Sequence, residues 1–274
     1  MARIHVLTDN NTHTQGLGTE HGLSLAIALS NSHLWLWDTG QSDLFIANAR
    51  AMGVDLQTLR GVALSHGHYD HTGGLSALLD KTGYLGPIYA HPGFETRRYT
   101  INGKDPARSI GLDTKAIPWP LPGFVPVNGM RNLDIGLSMA TPIPRRSGLH
   151  QSVNDFFLDP HGRIPDPIRD DACLLLDGEQ GPVAILGCCH SGLANTLLHL
   201  QDTFHVRALH AVIGGFHLID ADESILEESA DILEEFQVER IIPGHCTGST
   251  AMDFLKERFP NNVEFLGAGL TLDV

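Results

Sequence analysis

The sequence predicts a layered α/β protein: two sheets packed together, helices outside, and a cleft along one sheet edge. Three observations carry this. Short apolar runs of strand type alternate with amphipathic stretches through most of the chain. Each half opens with antiparallel-looking strands and then alternates helix with strand. The residues best suited to chemistry, Asp38, His66 to His71, His190, His217 and His245, stand where predicted strands end. Layered α/β folds build their sites there.

Taken in order, Ile4–Leu7 reads as a first strand closed by the turn-forming Asp9-Asn10-Asn11. Gln15 to Gly22 is a flexible loop. Leu23–Leu29 and His33–Trp37 form a hairpin around Ser30-Asn31-Ser32, and Asp38-Thr39-Gly40 follows at the strand end. Asp43–Met52 is helical with Gly53 as its C-cap, and Asp55–Arg60 is a shorter helical turn before the strand Val62–Leu64. Ser76–Lys81 is helical, and Pro87–Ala90 is the next strand. Residues 97–170 change character: rich in Pro and Gly, densest at Trp119-Pro120-Leu121-Pro122-Gly123, with short strands near Phe124–Val127, Leu137–Thr141 and Phe156–Leu158. A long irregular stretch of this kind lines or covers a site, as a lid or as a subunit contact in a homo-oligomer.

Regular patterning returns with Ala172–Leu176, a hairpin turn at Asp177–Gly181, and Pro182–Leu186. Helices follow at Ala194–Gln201, Asp222–Phe236 and Thr250–Arg258, alternating with strands at Ala208–Ile213 and Arg240–Ile242. Ile225, Leu226, Ile232, Leu233 and Phe236 share one helical face, with acids on the other. Two short strands, Val263–Leu266 and Leu270–Leu272, end the sequence. We expect one domain over residues 1–274, with 97–170 as an irregular insertion.

The run Ser65-His66-Gly67-His68-Tyr69-Asp70-His71-Thr72-Gly73-Gly74 places three imidazoles and a carboxylate within six positions. If the strand conformation persists past Ser65, His66 and His68 leave on the same side. Asp70 and His71 reach a second point as the chain turns. Neutral imidazoles with a carboxylate suit two divalent ions, zinc first, with manganese or iron as alternatives.

Composition narrows the class. The chain has 274 residues, 42% of them hydrophobic, and a formal net charge of −14. A core is available, and the field repels nucleic acid and anionic membranes. No signal-peptide layout or membrane-length apolar run appears. Four cysteines without a disulfide framework lead us to expect reduced thiols and a cytoplasmic protein.

His66-Gly67-His68-Tyr69-Asp70-His71 resembles the signature of the metallo-β-lactamase superfamily, Asp38-Thr39-Gly40 its upstream aspartate motif, and His245 its last histidine ligand. Glu20-His21-Gly22-Leu23-Ser24, Gly187-Cys188-Cys189-His190-Ser191-Gly192, Gly214-Gly215-Phe216-His217-Leu218 and Pro243-Gly244-His245-Cys246-Thr247-Gly248 look like one subgroup. It carries the label 7,8-dihydropterin-6-methyl-4-(β-D-ribofuranosyl)-aminobenzene-5′-phosphate synthase-like. The resemblance implies a four-layer αββα sandwich and a dinuclear metal-dependent hydrolase that uses a metal-activated hydroxide on a small anionic substrate, a phosphoester or pterin-related compound.

It also implies a ligand set: His66, His68 and His190 for one ion, and Asp70, His71 and His245 for the other. Asp38 would fix an imidazole ring. Asp70 and His190 are the catalytic candidates, Asp70 also as a proton carrier. The superfamily usually has a histidine before the strand at Ala172 and a bridging aspartate at the next strand end. This chain has Asp170-Asp171 at the first place and Cys188 at the second. His190 is the substitute chosen, with Asp171, Cys188 and His217 in reserve. His217, Arg145 and Arg146 are substrate candidates, and Arg97-Arg98 could join Arg145-Arg146 as an anion clamp. His21 and His91 read as ordinary loop histidines, and Cys189 and Cys246 as inert thiols. Two alternatives stand beside the hydrolase: an iron-containing oxidoreductase, disfavoured because His68 replaces an acid and no flavin domain is present, and a non-catalytic metal-binding protein.

Overall fold

A computed structural model describes residues 1–101, 107–118 and 120–274; Trp119, at the head of the Pro-rich run, lies outside the described residues. The first half contains β1 (Arg3–Thr8), β2 (Ser24–Ala28), β3 (Leu34–Trp37), α1 (Leu44–Ala51), β4 (Leu59–Ala63), α2 (Tyr69–Thr72), α3 (Leu75–Thr82) and β5 (Ile88–Ala90). The middle holds β6 (Tyr99–Thr100), β7 (Arg108–Ser109), β8 (Phe124–Pro126), β9 (Gly129–Asp134), β10 (Leu137–Thr141) and β11 (Phe156–Phe157). The remainder is β12 (Cys173–Gly178), β13 (Gly181–Leu186), α4 (Leu193–Phe204), β14 (Ala211–Gly215), α5 (Glu223–Glu235), β15 (Arg240–Gly244), α6 (Ser249–Arg258) and β16 (Thr271–Asp273).

One sheet runs β16-β1-β2-β3-β4-β5-β8 and the other β15-β14-β13-β12-β10-β9, with a small third sheet β11-β6-β7. Alternating side chains explain why the two large sheets stack. Ile4 and Val6 of β1, Leu25 and Ile27 of β2, and Trp35 and Trp37 of β3 share a core with Leu174 and Leu176 of β12, Val183 and Ile185 of β13, and Ile213 and Ile242. Their sequence neighbours point the other way. Ala26, Leu36 and Val62 pack with Phe45, Ala49, Leu75 and Leu78 of α1 and α3. Leu175, Ala184, Val212 and Ile241 pack with Leu197, Leu233 and Leu255 of α4, α5 and α6. The period of two thus gives each sheet one face for its partner sheet and one for helices. This is the expected helix–sheet–sheet–helix order.

Residues 97–170 are less separate than the composition suggests. They close the first sheet with β8 and the second with β9 and β10. The sequence reading misses β9, whose Gly129–Asp134 is mostly exposed and has no apolar alternation. Its pairing with β10 alone defines it. It also misses β6, β7 and the one-turn α2.

Candidate metal centre

Parallel strands β3, β4, β13, β14 and β15 end near one another, and the loops that leave them carry the polar residues. Several of these residues hold left-handed backbone: Asp38 (φ 59°), Cys189 (62°), His217 (47°) and His245 (52°). Non-glycine residues adopt this region at a cost, and such outliers gather at functional sites. After β4 the chain stays extended through His68 (φ −73°, ψ 149°), then turns into α2, which presents Asp70 and His71. Gly67 is required between the two histidines. A Cβ there would lie 1.7 Å from the Phe94 carbonyl oxygen, and its N–H donates to Asp170 Oδ2 at 2.8 Å.

The donor atoms fall into overlapping groups, each within 4.8 Å: His66, His68 and His190; Asp70, His71, Cys188 and His245; and Cys188, His190 and His217. Contacts inside them are short. His66 Nε2 is 3.0 Å from His68 Nδ1. His71 Nε2 is 3.1 Å from both His245 Nε2 and Cys188 Sγ. Asp70 Oδ2 is 3.3 Å from His245 Nε2 and 3.2 Å from His21 Nε2. The predicted ligands from both halves of the chain are therefore brought together.

The outer nitrogens decide what the inner ones can do. His71 Nδ1 donates to Asp38 Oδ2 at 2.7 Å, His190 Nδ1 to the Ser152 carbonyl at 2.8 Å, and His245 Nδ1 to Asn10 Oδ1 at 3.0 Å. Ser65 Oγ gives its proton to Asp38, which leaves it to accept from His66 Nδ1 at 2.9 Å. In the neutral rings each Nε2 is then a lone pair facing other lone pairs. His190 Nε2 is buried with no hydrogen-bond partner. Such convergence fits a cation, and outer-nitrogen anchoring is the usual support for a ligating histidine.

Charge agrees. Burial, with neighbouring imidazoles, pushes His66 and His190 well below the usual histidine range; burial and Arg98 do the same to His68. These rings are neutral and ready to ligate. Burial opposes charge on His71 too, but Asp38 and Asp70 overcome it and push it up to about 9. Burial also opposes charge on Asp70, yet His71, His21 and His245 hold its carboxyl well below the ordinary range. Without a cation, the Asp70 side of the centre holds a proton instead.

The centre floors a cleft of ≈ 270 Å³ walled by Asn10, His21, Tyr69, Arg108, Phe156 and Ile219. Among the described lining residues Arg108 is the arginine, 5.3 Å above the Tyr69 ring. Several expectations need correcting. Arg145 is spent on the Pro167 and Ile168 carbonyls, and Arg146 pairs with Asp202 on α4, so neither lines the cleft. Arg98 is buried between Asp166 and Asp170, and it cannot act in a clamp. Asp171 joins no donor group; its carboxylate accepts from the Ser191 N–H at 2.6 Å. His21 is not an ordinary loop residue, because it reaches Asp70. His91, by contrast, only caps a turn at Gly93. His217 lies against His190 and Phe156 at the cleft wall, with Nδ1 unpaired. Cys189 packs in the helix-facing core, and Cys246 borders the cleft.

A sandwich of two sheets between helices, with histidine-rich donor groups at the strand ends, defines an αββα protein with candidate metal-binding groups. Residues 18–245 match the metallo-β-lactamase superfamily. The chain belongs to that superfamily. It is 27% identical over 272 residues to the 7,8-dihydropterin-6-methyl-4-(β-D-ribofuranosyl)-aminobenzene-5′-phosphate synthase of Methanocaldococcus jannaschii, covering 92% of this chain and 89% of that protein. Among solved structures it resembles Tm1679, a metal-dependent hydrolase of the β-lactamase superfamily, with 31% identity, TM-score 0.85, and 100% and 99% of the two chains covered. A diphosphatase of the PhnP family shares the fold at 16% identity and TM-score 0.58, with 100% and 98% covered.

Proposed function

We propose that this chain is a dinuclear metal-dependent hydrolase acting on a small anionic substrate, a phosphoester or a pterin-related molecule. The observation that carries the reading is the pair of buried donor groups, side by side beneath one open cleft. His66, His68 and His190 would hold one ion; Asp70, His71 and His245 would hold the other. Two bound divalent ions, zinc first, would lower the pKa of water toward about 7 and polarise a substrate oxygen.

The chain's own groups complete the chemistry. Asp38, Ser152 and Asn10 fix the rings of His71, His190 and His245. Arg108, whose Nη1 lies 3.3 Å from the Tyr69 hydroxyl, offers donors to an anionic substituent at the mouth. His217, on the cleft wall, is the histidine candidate for substrate contact. Asp70, in contact with the half-exposed His21, would pass a proton toward solvent.

The test is metal analysis followed by assays on phosphodiesters, phosphomonoesters, lactones and phosphorylated pterins; the last class is suggested by the archaeal relative's name. We expect two ions per chain and phosphoester turnover that a chelator abolishes and zinc or manganese restores. Tight metal binding with silence on every substrate would leave a metal-binding protein. Redox turnover with iron would establish the oxidoreductase instead.

A further inference from the structure

We propose that Cys188 is a thiolate ligand shared by the two cations. The inference rests on the dinuclear reading above and makes it more specific. Cys188 belongs to the donor group of Asp70, His71 and His245, and also to the group that contains His190. His190 in turn belongs with His66 and His68. Cys188 is thus the side chain that links the two ends of the cluster. It is buried, and its Sγ lies 3.1 Å from His71 Nε2. On its other side, the buried Nε2 of His190 has no partner of its own.

The backbone holds the sulfur there. A Cβ on Gly187 would lie 2.2 Å from Ser65 Oγ, so the end of β13 rests directly on the Asp38–Ser65 pair. A Cβ on Gly215 would lie 2.6 Å from Cys246 Sγ and 3.3 Å from the Cys188 Cα, so β14 closes the other side. Cys188 cannot back away from the cluster.

Charge balance supplies the chemical reason. Two divalent ions bring four positive charges, and Asp70 is the only carboxylate among the clustered donors of the described residues. As the Sγ–metal bonds form, the thiol proton leaves to solvent, and the ligand set gains a second negative charge. A soft thiolate also biases the metal. It favours zinc and cobalt over manganese, which prefers carboxylate and water.

Cobalt(II) tests this, because a thiolate ligand gives it an intense near-ultraviolet charge-transfer band. The loaded chain should hold two cobalt ions and show the band, Cys246→Ser should keep it, and Cys188→Ser should lose it. Cys188→Asp should still hold two ions, show no band, and lose the preference for zinc over manganese by roughly tenfold or more. Two ions bound without a band, or a band that survives Cys188→Ser, overturns the shared thiolate but leaves the dinuclear reading standing. Failure of the unmodified chain to bind two ions overturns both. Should Cys188→Ser not fold, zinc X-ray absorption on Cys246→Ser decides: a sulfur neighbour at about 2.3 Å supports the proposal, and nitrogen and oxygen neighbours alone overturn it.

Discussion

Asp38 joins none of the donor groups, yet it governs both sides of the centre. Its carboxylate accepts from Ser65 N, Ser65 Oγ and His71 Nδ1, all at 2.7 Å. Through Ser65 it also orients His66. The aspartate motif at the end of the second hairpin strand made this role readable in the sequence. The positions of His21 and Arg108 at the cleft were not readable, because they depend on how the β1–β2 loop and the small β11-β6-β7 sheet lie over it, and spacing along the chain carries no trace of that. Paired arginines drew attention for their charge, while three of the four are accounted for by partners outside the cleft. Asp171 supports a prediction at this scale. Burial, against the Ser191 N–H, pushes its carboxyl from 3.8 up to about 6. A carboxyl with a raised folded pKa stabilises fully below its unfolded pKa and loses that contribution as pH rises through the folded one. In metal-free protein, Asp171→Asn should therefore gain on the parent between pH 4 and 7, by about 3 kcal/mol at most. Denaturant titrations at several pH values check it, and a constant difference across that range refutes it.

Strand ends, with the one-turn α2 that follows β4, build the centre, and the strand-end part followed from where the histidines stand in the pattern. The core strands were legible because their side chains alternate between two apolar environments. Edge strand β9 was not, since it is mostly exposed, with Leu133 only partly buried against the inter-sheet core, and hydrogen bonding to β10 makes it a strand. The His66–His68 segment depends on Asp170, which takes both the Gly67 N–H and the Arg98 guanidinium. Gly67→Ala sets a Cβ against the Phe94 backbone, which cannot yield as a side-chain tip would. We expect a loss of about 1–3 kcal/mol by overpacking. Occupancy should also fall at the His66/His68/His190 group before the other. Metal titration calorimetry distinguishes this from a uniform loss; equal weakening at both sites would show that the loop shifts as a whole.

At the scale of the molecule, the donors divide by sheet. His66, His68, Asp70 and His71 follow β4 of the first sheet, while Cys188, His190, His217 and His245 follow β13, β14 and β15 of the second. The core between the sheets thus sets the spacing of the centre. Leu174 on β12 is buried in that core and is itself no donor. Leu174→Ala should cost about 2–5 kcal/mol. It should also weaken metal retention more than an equally destabilising truncation in the outer core, such as Leu233→Ala on α5. Chelator-competition measurements on both variants test this, and equal retention would mean the sheets keep their spacing despite the cavity. Ions gripped from opposite layers would act as a rivet through a laminate. Slippage between the plies would eject them long before either ply frays, so escaping metal would be the earliest warning of damage.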